Sequence, residues 1–190
     1  LIGVILTMTL VMFTAMALVR ERERGNLEML IATPVSPWEL TIGKVLPFVF
    51  IGLVQVTVVL LLGKLVFSVP IRGSLLEVYA AALLFILANL SLGILISTMA
   101  KSQFQAMQLA FFTFLPQILL SGFMFPYAGM PVFAQRIAEL LPMTHFIRLI
   151  RGIMLRGADL WDMPWDLLAL AMIAAVLLTI STRRISKRLD

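Results

Sequence analysis

The sequence predicts an all-α fold, a polytopic transmembrane helix bundle of about five spans, and three observations lead there. The chain of 190 residues is 61% hydrophobic and 13% charged, against about 45–50% apolar and about 25% charged in soluble domains, and its mean hydropathy is +1.04. Five apolar runs, 1–19, 41–69, 75–98, 106–125 and 164–182, reach the roughly 20 residues that a helix rising about 1.5 Å per residue needs to cross about 30 Å of hydrocarbon. The runs are continuous rather than alternating with period two, which argues against the strands of a membrane barrel.

The first run starts at Leu1 with no initiator methionine, which reads as a piece of a longer protein. Ala15-Met16-Ala17 looks like a signal-peptidase site, but a signal sequence carries its cations before the apolar stretch, and here Arg20, Arg22 and Arg24 follow it. No internal repeat, low-complexity tract or soluble domain boundary interrupts the chain, so 1–190 is expected to be one transmembrane domain.

Lys and Arg collect at span ends and set the orientation. Nine of the fifteen, Arg20, Arg22, Arg24, Lys44, Lys101, Arg183, Arg184, Lys187 and Arg188, fall on one side, and Lys64, Arg72, Arg136, Arg148, Arg151 and Arg156 fall on the other. Leu1 is therefore expected outside and Asp190 in the cytoplasm. Trp161 and Trp165 flank the outer end of the last span, where indole rings favour the headgroup layer. The net charge of +5 forms no continuous patch, so nucleic acid is not an expected partner.

The connection after the first run is patterned. Arg20 with Glu23, Glu21 with Arg24, and Arg24 with Glu28 have the i,i+3 or i,i+4 spacing of a charged helix, and Leu27, Leu30 and Ile31 give its continuation an apolar face. Thr33-Pro34 should end it. Ser36-Pro37-Trp38-Glu39 then predicts a new helix start, with Ser36 as N-cap, proline at the first position and Glu39 closing a capping box. The second span thus begins below the membrane, and its length implies tilt or a kink near Pro47. Ser102 and Gln105 repeat the capping-box spacing before the fourth span.

Between Pro126 and Met163 lie two stretches too short to cross. Pro131 to Leu141 sets Gln135, Arg136 and Glu139 among apolar residues, and Met143 to Leu155 does the same with His145, Arg148 and Arg151. Such runs of about 10–14 residues re-enter or lie at the interface, so a re-entrant helical hairpin is expected on the outer side.

Catalytic, cofactor and metal sites are not expected. The chain has one histidine and no cysteine, and its acidic residues sit beside basic neighbours rather than in a facing pair. His145 as a ligand or base is weighed against a polar residue in a short interfacial helix. Gly43-Lys44 and Gly63-Lys64 lack the upstream glycine and following Ser/Thr of a phosphate loop. Within the spans, Asn89, Gly93 and Ser97 recur every four residues, as do Gln117 and Ser121, and Gln55 sits mid-span. Two readings stay open for these six: helix packing through small residues and amide bonds, or polar groups along a substrate pathway. Snorkelling accounts for Lys64, Arg72 and Glu77 near span ends. The 12 Met and 13 Phe could line a forgiving apolar pocket or serve ordinary span packing.

Several motifs together carry a resemblance. Arg22-Glu23-Arg24-Gly25-Asn26-Leu27-Glu28-Met29-Leu30, then Thr33-Pro34-Val35-Ser36 and Gly43-Lys44, resemble the cytoplasmic connection of type-2 ATP-binding-cassette transporter permeases, especially the bacterial multidrug-efflux branch. Ser97-Thr98-Met99-Ala100-Lys101-Ser102, the 116–126 stretch with Ser121-Gly122, Met130-Pro131, Leu141-Pro142-Met143-Thr144 and Arg151-Gly152 resemble the same family in the same order. The resemblance covers the whole chain.

It implies the C-terminal transmembrane part of a permease, lacking a preceding span and an extracytoplasmic domain, in the bacterial cytoplasmic (inner) membrane. It implies export of hydrophobic small molecules, a separate ATP-binding ATPase subunit that hydrolyses the nucleotide, a second permease half in a homo- or heterodimer, and room for a periplasmic adaptor. Residues 24–32 would form a coupling helix on the ATPase, with Arg24, Gly25, Leu27, Glu28, Leu30 and Ile31 as the coupling set. Within it, Glu28 would be the polar docking contact, and Leu27, Leu30 and Ile31 the face against the bundle. Rival readings are export of polysaccharide or lipid, and a membrane assembly protein without transport activity. A lipid-modifying membrane enzyme is a further class, for which the sequence offers no nucleophile–base pair or metal cluster.

Overall fold

A computed structural model describes residues 1–25 and 36–189, and among them every regular element is helical. The first, α1, runs over Ile2–Glu23, with a π-helical turn at Thr7–Val11 inside it. It is followed by α2 (Pro37–Phe67), α3 (Leu75–Met99) and α4 (Gln103–Leu120), then by two short helices, α5 (Val132–Ala138) and α6 (Pro142–Arg151). The last of these continues as a π turn over Gly152–Arg156, and α7 (Pro164–Leu189) closes the chain.

Each boundary has a local cause. Ser36 caps α2 as expected: its hydroxyl accepts from the Glu39 backbone N–H at 3.3 Å, the Glu39 carboxylate accepts from the Ser36 N–H at 2.9 Å, and Pro37 opens the helix. Pro47 is accommodated inside α2, which stays helical through it. At the start of α4, Ser102 accepts from the Gln105 N–H at 3.2 Å, but the Gln105 side chain takes the N–H of Lys101 at 2.7 Å instead of that of Ser102. The box is closed one residue upstream because Gln is long enough to reach past the cap. Glycine at φ +71 follows the end of α1 at Gly25, the left-handed geometry that side chains resist.

Four helical stretches are long and apolar enough to cross a membrane: Ile2–Glu23, Ile42–Phe67, Leu75–Met99 and Pro164–Ile185. They match four of the five expected runs. The fifth run corresponds to α4, which has 18 residues and stops at Leu120 rather than Phe125. Three glutamines in its first six positions, Gln103, Gln105 and Gln108, lower its apolarity, and the chain turns at Gly122 with φ +83.

The bundle is built around α3. Of its most apolar stretch 67% is buried, against 22% in α2 and in α7, and α1, α2, α6 and α7 all pack on it. Because lipid is as apolar as leucine, these helices gain little from leaving lipid, and close packing must hold them. Small residues permit that approach. A Cβ placed on Gly93 of α3 would lie 2.9 Å from the Thr14 Cβ and 3.0 Å from the Val11 carbonyl oxygen of α1, so this crossing is closed to any side chain. Gly52 of α2 similarly faces Ile86 of α3. Two turns before Gly93 on α3, the ring of Phe85 stacks on that of Phe146 of α6 at 4.2 Å with their planes 3° apart.

The Gly93→Val substitution is therefore expected to force α1 and α3 apart, at the roughly 1–3 kcal/mol typical of overpacking. A thermal-unfolding midpoint in detergent unchanged from that of the wild type would contradict this close crossing.

Candidate functional site: polar ties at the two ends of the bundle

Three consecutive residues at the end of α1 reach three different elements. The Glu21 carboxylate pairs with Lys44 Nζ of α2 at 2.7 Å, the Arg22 guanidinium donates to the carbonyl of Ala100 at the end of α3, and the Glu23 carboxylate accepts from the Gln103 side chain at 2.7 Å and from its backbone N–H at 3.3 Å at the start of α4. The expected ion pairs along one helix are thus corrected for these two carboxylates. Both are spent between helices, because α2 and α4 start beside the end of α1 and offer a full cation and a free helix-start N–H. Residues 26–35 lie outside the described residues, and with them Leu27, Glu28, Leu30 and Ile31 of the expected coupling set; Arg24 and Gly25 form the turn that leads into that segment.

The six in-span candidates separate by their surroundings. Gln55 accepts from the Thr9 hydroxyl at 2.9 Å, linking α2 to α1. Asn89 donates to its own helix at the Phe85 carbonyl, 2.8 Å away, and Ser97 to Ile94 at 2.6 Å. Gly93 forms the close crossing with α1. Each of these four makes a packing or local bonding contact, although the Asn89 Oδ1 is buried without a partner. Gln117 and Ser121 differ: both are buried, and neither the Gln117 amide atoms nor the Ser121 hydroxyl has a partner. Thr7, Thr14 and Thr144 also bury hydroxyls without partners. Sequence pattern does not single out these threonines, since threonine in a span is ordinarily satisfied by the carbonyl one turn back, as Thr57, Thr113 and Thr179 are here.

The other end of the bundle holds a charge-balanced cluster. His145 lies on α6, where it is 3% exposed. Its Nδ1 is 2.8 Å from Asp166 Oδ1 of α7, and its Nε2 is 2.9 Å from the Glu139 backbone carbonyl. Both neighbours only accept, so both ring nitrogens must donate, and the doubly protonated imidazolium alone satisfies them. Burial disfavours that charge, yet the Asp166 and Glu139 contacts outweigh it and hold the His145 pKa above its ordinary value. Arg148, one turn along, grips Glu139 with a two-pronged contact at 2.6 and 3.2 Å and reaches Asp166 at 3.2 Å. The Arg148 contact, foremost, keeps the Glu139 carboxyl below its usual range. Tyr127 donates its hydroxyl to Glu139 at 2.5 Å, and its ring lies 4.4 Å beneath the Arg148 guanidinium.

Sequence reasoning left His145 between a ligand and a polar interfacial residue, and it missed Asp166 as the partner. The available signal was the i,i+3 spacing of His145 and Arg148 on one face, together with an acid in the first turn of the following helix. Each carboxylate of the cluster is matched by a cation, and no group of described residues could hold a metal ion. The cluster fixes the short helices α5 and α6 to the start of α7 and leaves no free nucleophile.

Two outcomes follow from this geometry. Arg148→Met strands Glu139 and is expected to cost about 1–3 kcal/mol in thermal unfolding, less than the roughly 3–5 of a fully buried pair because part of the cluster is solvated; Arg148→Lys should recover only part of it, having no fork. The His145 contribution, with its folded pKa above the ordinary 6.5, is complete below pH 6.5 and fades as pH rises through the folded value, whereas that of Glu139, with its folded pKa below 4.5, is complete above pH 4.5 and fades as pH falls. Stability from the cluster should therefore peak between pH 4.5 and 6.5, and His145→Gln should flatten the alkaline side of a melting-temperature profile. An alkaline limb as steep in that variant as in the wild type would contradict a charged His145.

Comparison with known proteins places this geometry. The sequence profile of the family described as ABC-2 type transporter matches residues 1–155. The chain is 34% identical over 90% of its length to the "Probable multidrug ABC transporter permease YbhR" of Escherichia coli, covering 47% of that protein. It is 32% identical over 100% of its length to YbhS of the same name and organism, covering 50%. To the "Inner membrane transport permease YhhJ" of Escherichia coli it is 35% identical over 96% of its length, covering 49%. The chain thus spans about half the length of these curated relatives. No solved structure matches it. A membrane-spanning helical bundle, motifs in family order and a profile match over most of the chain agree: this chain belongs to the ABC-2 type transporter family.

Proposed function

We propose that the chain is the membrane-spanning part of a permease in an ATP-binding-cassette exporter, moving hydrophobic small molecules across the bacterial inner membrane on the hydrolysis of ATP by a separate subunit. The observation that carries the reading is the triple tie at Glu21, Arg22 and Glu23, which joins the end of α1, just before the proposed coupling segment, to α2, α3 and α4 together. A push delivered to that segment would be shared among four helices at once instead of bending one. The names of the bacterial relatives, two of them multidrug ABC transporter permeases, support the cargo class.

In this reading the tied end faces the cytoplasm, where nine of the fifteen basic residues lie, and the segment with Arg24, Gly25, Leu27, Glu28, Leu30 and Ile31 couples to the ATPase. The α4 helix is a fifth, shorter span, about 27 Å long at about 1.5 Å per residue, and α5 and α6 form the outer hairpin. A second permease half completes the pathway, and a periplasmic adaptor is compatible with the arrangement. Closure of the ATPases on ATP would then shift a packed, two-state bundle between forms of different affinity for cargo. Gln117 and Ser121, buried and without partners, are the in-span groups best suited to meet a polar part of the cargo.

The test is charge reversal in the full-length permease with its ATPase. Glu21→Lys is expected to lower efflux several-fold while nucleotide hydrolysis persists, and Glu21→Lys with Lys44→Glu should restore it. Glu28→Arg should uncouple hydrolysis from efflux with the fold intact. Efflux and drug-stimulated hydrolysis at wild-type levels in both single variants would refute the coupling route.

A further inference from the structure

The end of the bundle away from the triple tie contains a cavity of about 530 Å³, within the roughly 300–1,000 Å³ usual for small-molecule sites. Its walls come from the start of α1, the end of α2 and one face of α6, with Ile2, Leu60, Phe67, Phe123, Phe146 and Ile150 among them. Two cations, Lys64 and Arg151, share this otherwise apolar lining. Both are exposed, and neither has a carboxylate partner among the described residues. This differs from Arg148 one turn earlier on α6, which is fully engaged by Glu139 and Asp166. Lys64 sits in the last turn of α2, where the carbonyl ends supply only a partial negative charge, and Arg151 closes α6 just before its π turn.

We propose that this cavity binds an anionic amphiphile, its apolar body among Leu60, Phe146 and Ile150 and its anionic group between Lys64 and Arg151. The apolar walls exclude a fully polar ligand, which would lose its water without replacement bonds. The unmatched positive charge selects an acid over a neutral or cationic amphiphile of the same size. Snorkelling toward headgroups would explain Lys64 alone, but not a second free cation placed on the same cavity by a different helix. The α6 helix then has two faces of different use: His145 and Arg148 anchor it to α7, while Phe146, Ile150 and Arg151 line the cavity.

Binding is read without ATP, so the outcome is independent of whether the protein exports anything. In the complete permease with its ATPase, native mass spectrometry or probe displacement would compare oleate, oleyl alcohol and oleylamine, which share a tail and differ in headgroup charge. Oleate is expected to bind about tenfold more tightly than the alcohol, two solvent-exposed ion pairs contributing together, with the amine weakest. Lys64→Gln with Arg151→Gln should abolish that preference while the alcohol binds as before, and Ile150→Trp, which fills the cavity, should weaken all three. Melting temperatures of the variants within a few degrees of wild type confirm folding. Retention of phosphatidylglycerol over phosphatidylcholine through purification identifies a resident lipid, and ATP-dependent movement of oleate in inverted vesicles identifies cargo. Equal binding of oleate and oleyl alcohol by the wild type, or a preference that survives the double substitution, overturns the proposal.

Discussion

Hydrocarbon offers no hydrogen-bond partner to a peptide group, and this constraint shapes the molecule. It requires the spans to be helices, since only a helix satisfies its backbone within one segment. It also removes the hydrophobic drive for the helices to associate, so that geometry must replace it. The Gly93 crossing of α1 and α3 and the stacked Phe85 and Phe146 rings are two answers. Both lie on α3, which is why that helix is the most enclosed of the spans.

Polar bonding between helices concentrates where the constraint relaxes, at the two ends of the bundle. At one end, Glu21, Arg22 and Glu23 tie the end of α1 to its neighbours. At the other, His145 and Arg148 meet Glu139 and Asp166 in a group of two cations and two carboxylates. Between them, helices held mostly by close packing can change their relative positions as rigid pieces. A bundle tied at both ends, with a few hydroxyl bonds such as Thr9 to Gln55 and Thr57 to Tyr79 between its spans, is suited to two packed arrangements, as the proposed alternating access requires.

Gln117, Ser121, Thr7, Thr14, Thr144 and the Oδ1 of Asn89 run against this pattern, because these polar atoms are buried without partners. An unmade bond to a buried amide or hydroxyl costs about 1–3 kcal/mol, so groups of this kind are poor choices for holding one static packing. The π turn at Thr7–Val11 shifts the register of α1 at the same level of the chain as one of them, a feature often found at functional positions.

Much of the architecture was readable from composition and spacing. Apolar runs of span length set the helical class; the Ser36-to-Glu39 spacing fixed the start of α2; and the prolines at 131 and 142 marked the two short helices. All of these are local, and local physics follows from neighbours in the chain. The length of α4 was misjudged because Ser121-Gly122 turns the chain inside a run that hydropathy alone continues. Only the tertiary structure decided which residues meet across long separations: Glu21 with Lys44, Glu23 with Gln103, and His145 with Asp166. A charge in sequence declares that it needs a partner, but several partners of equal chemistry were available to each. The choice among them was made by how the helices pack.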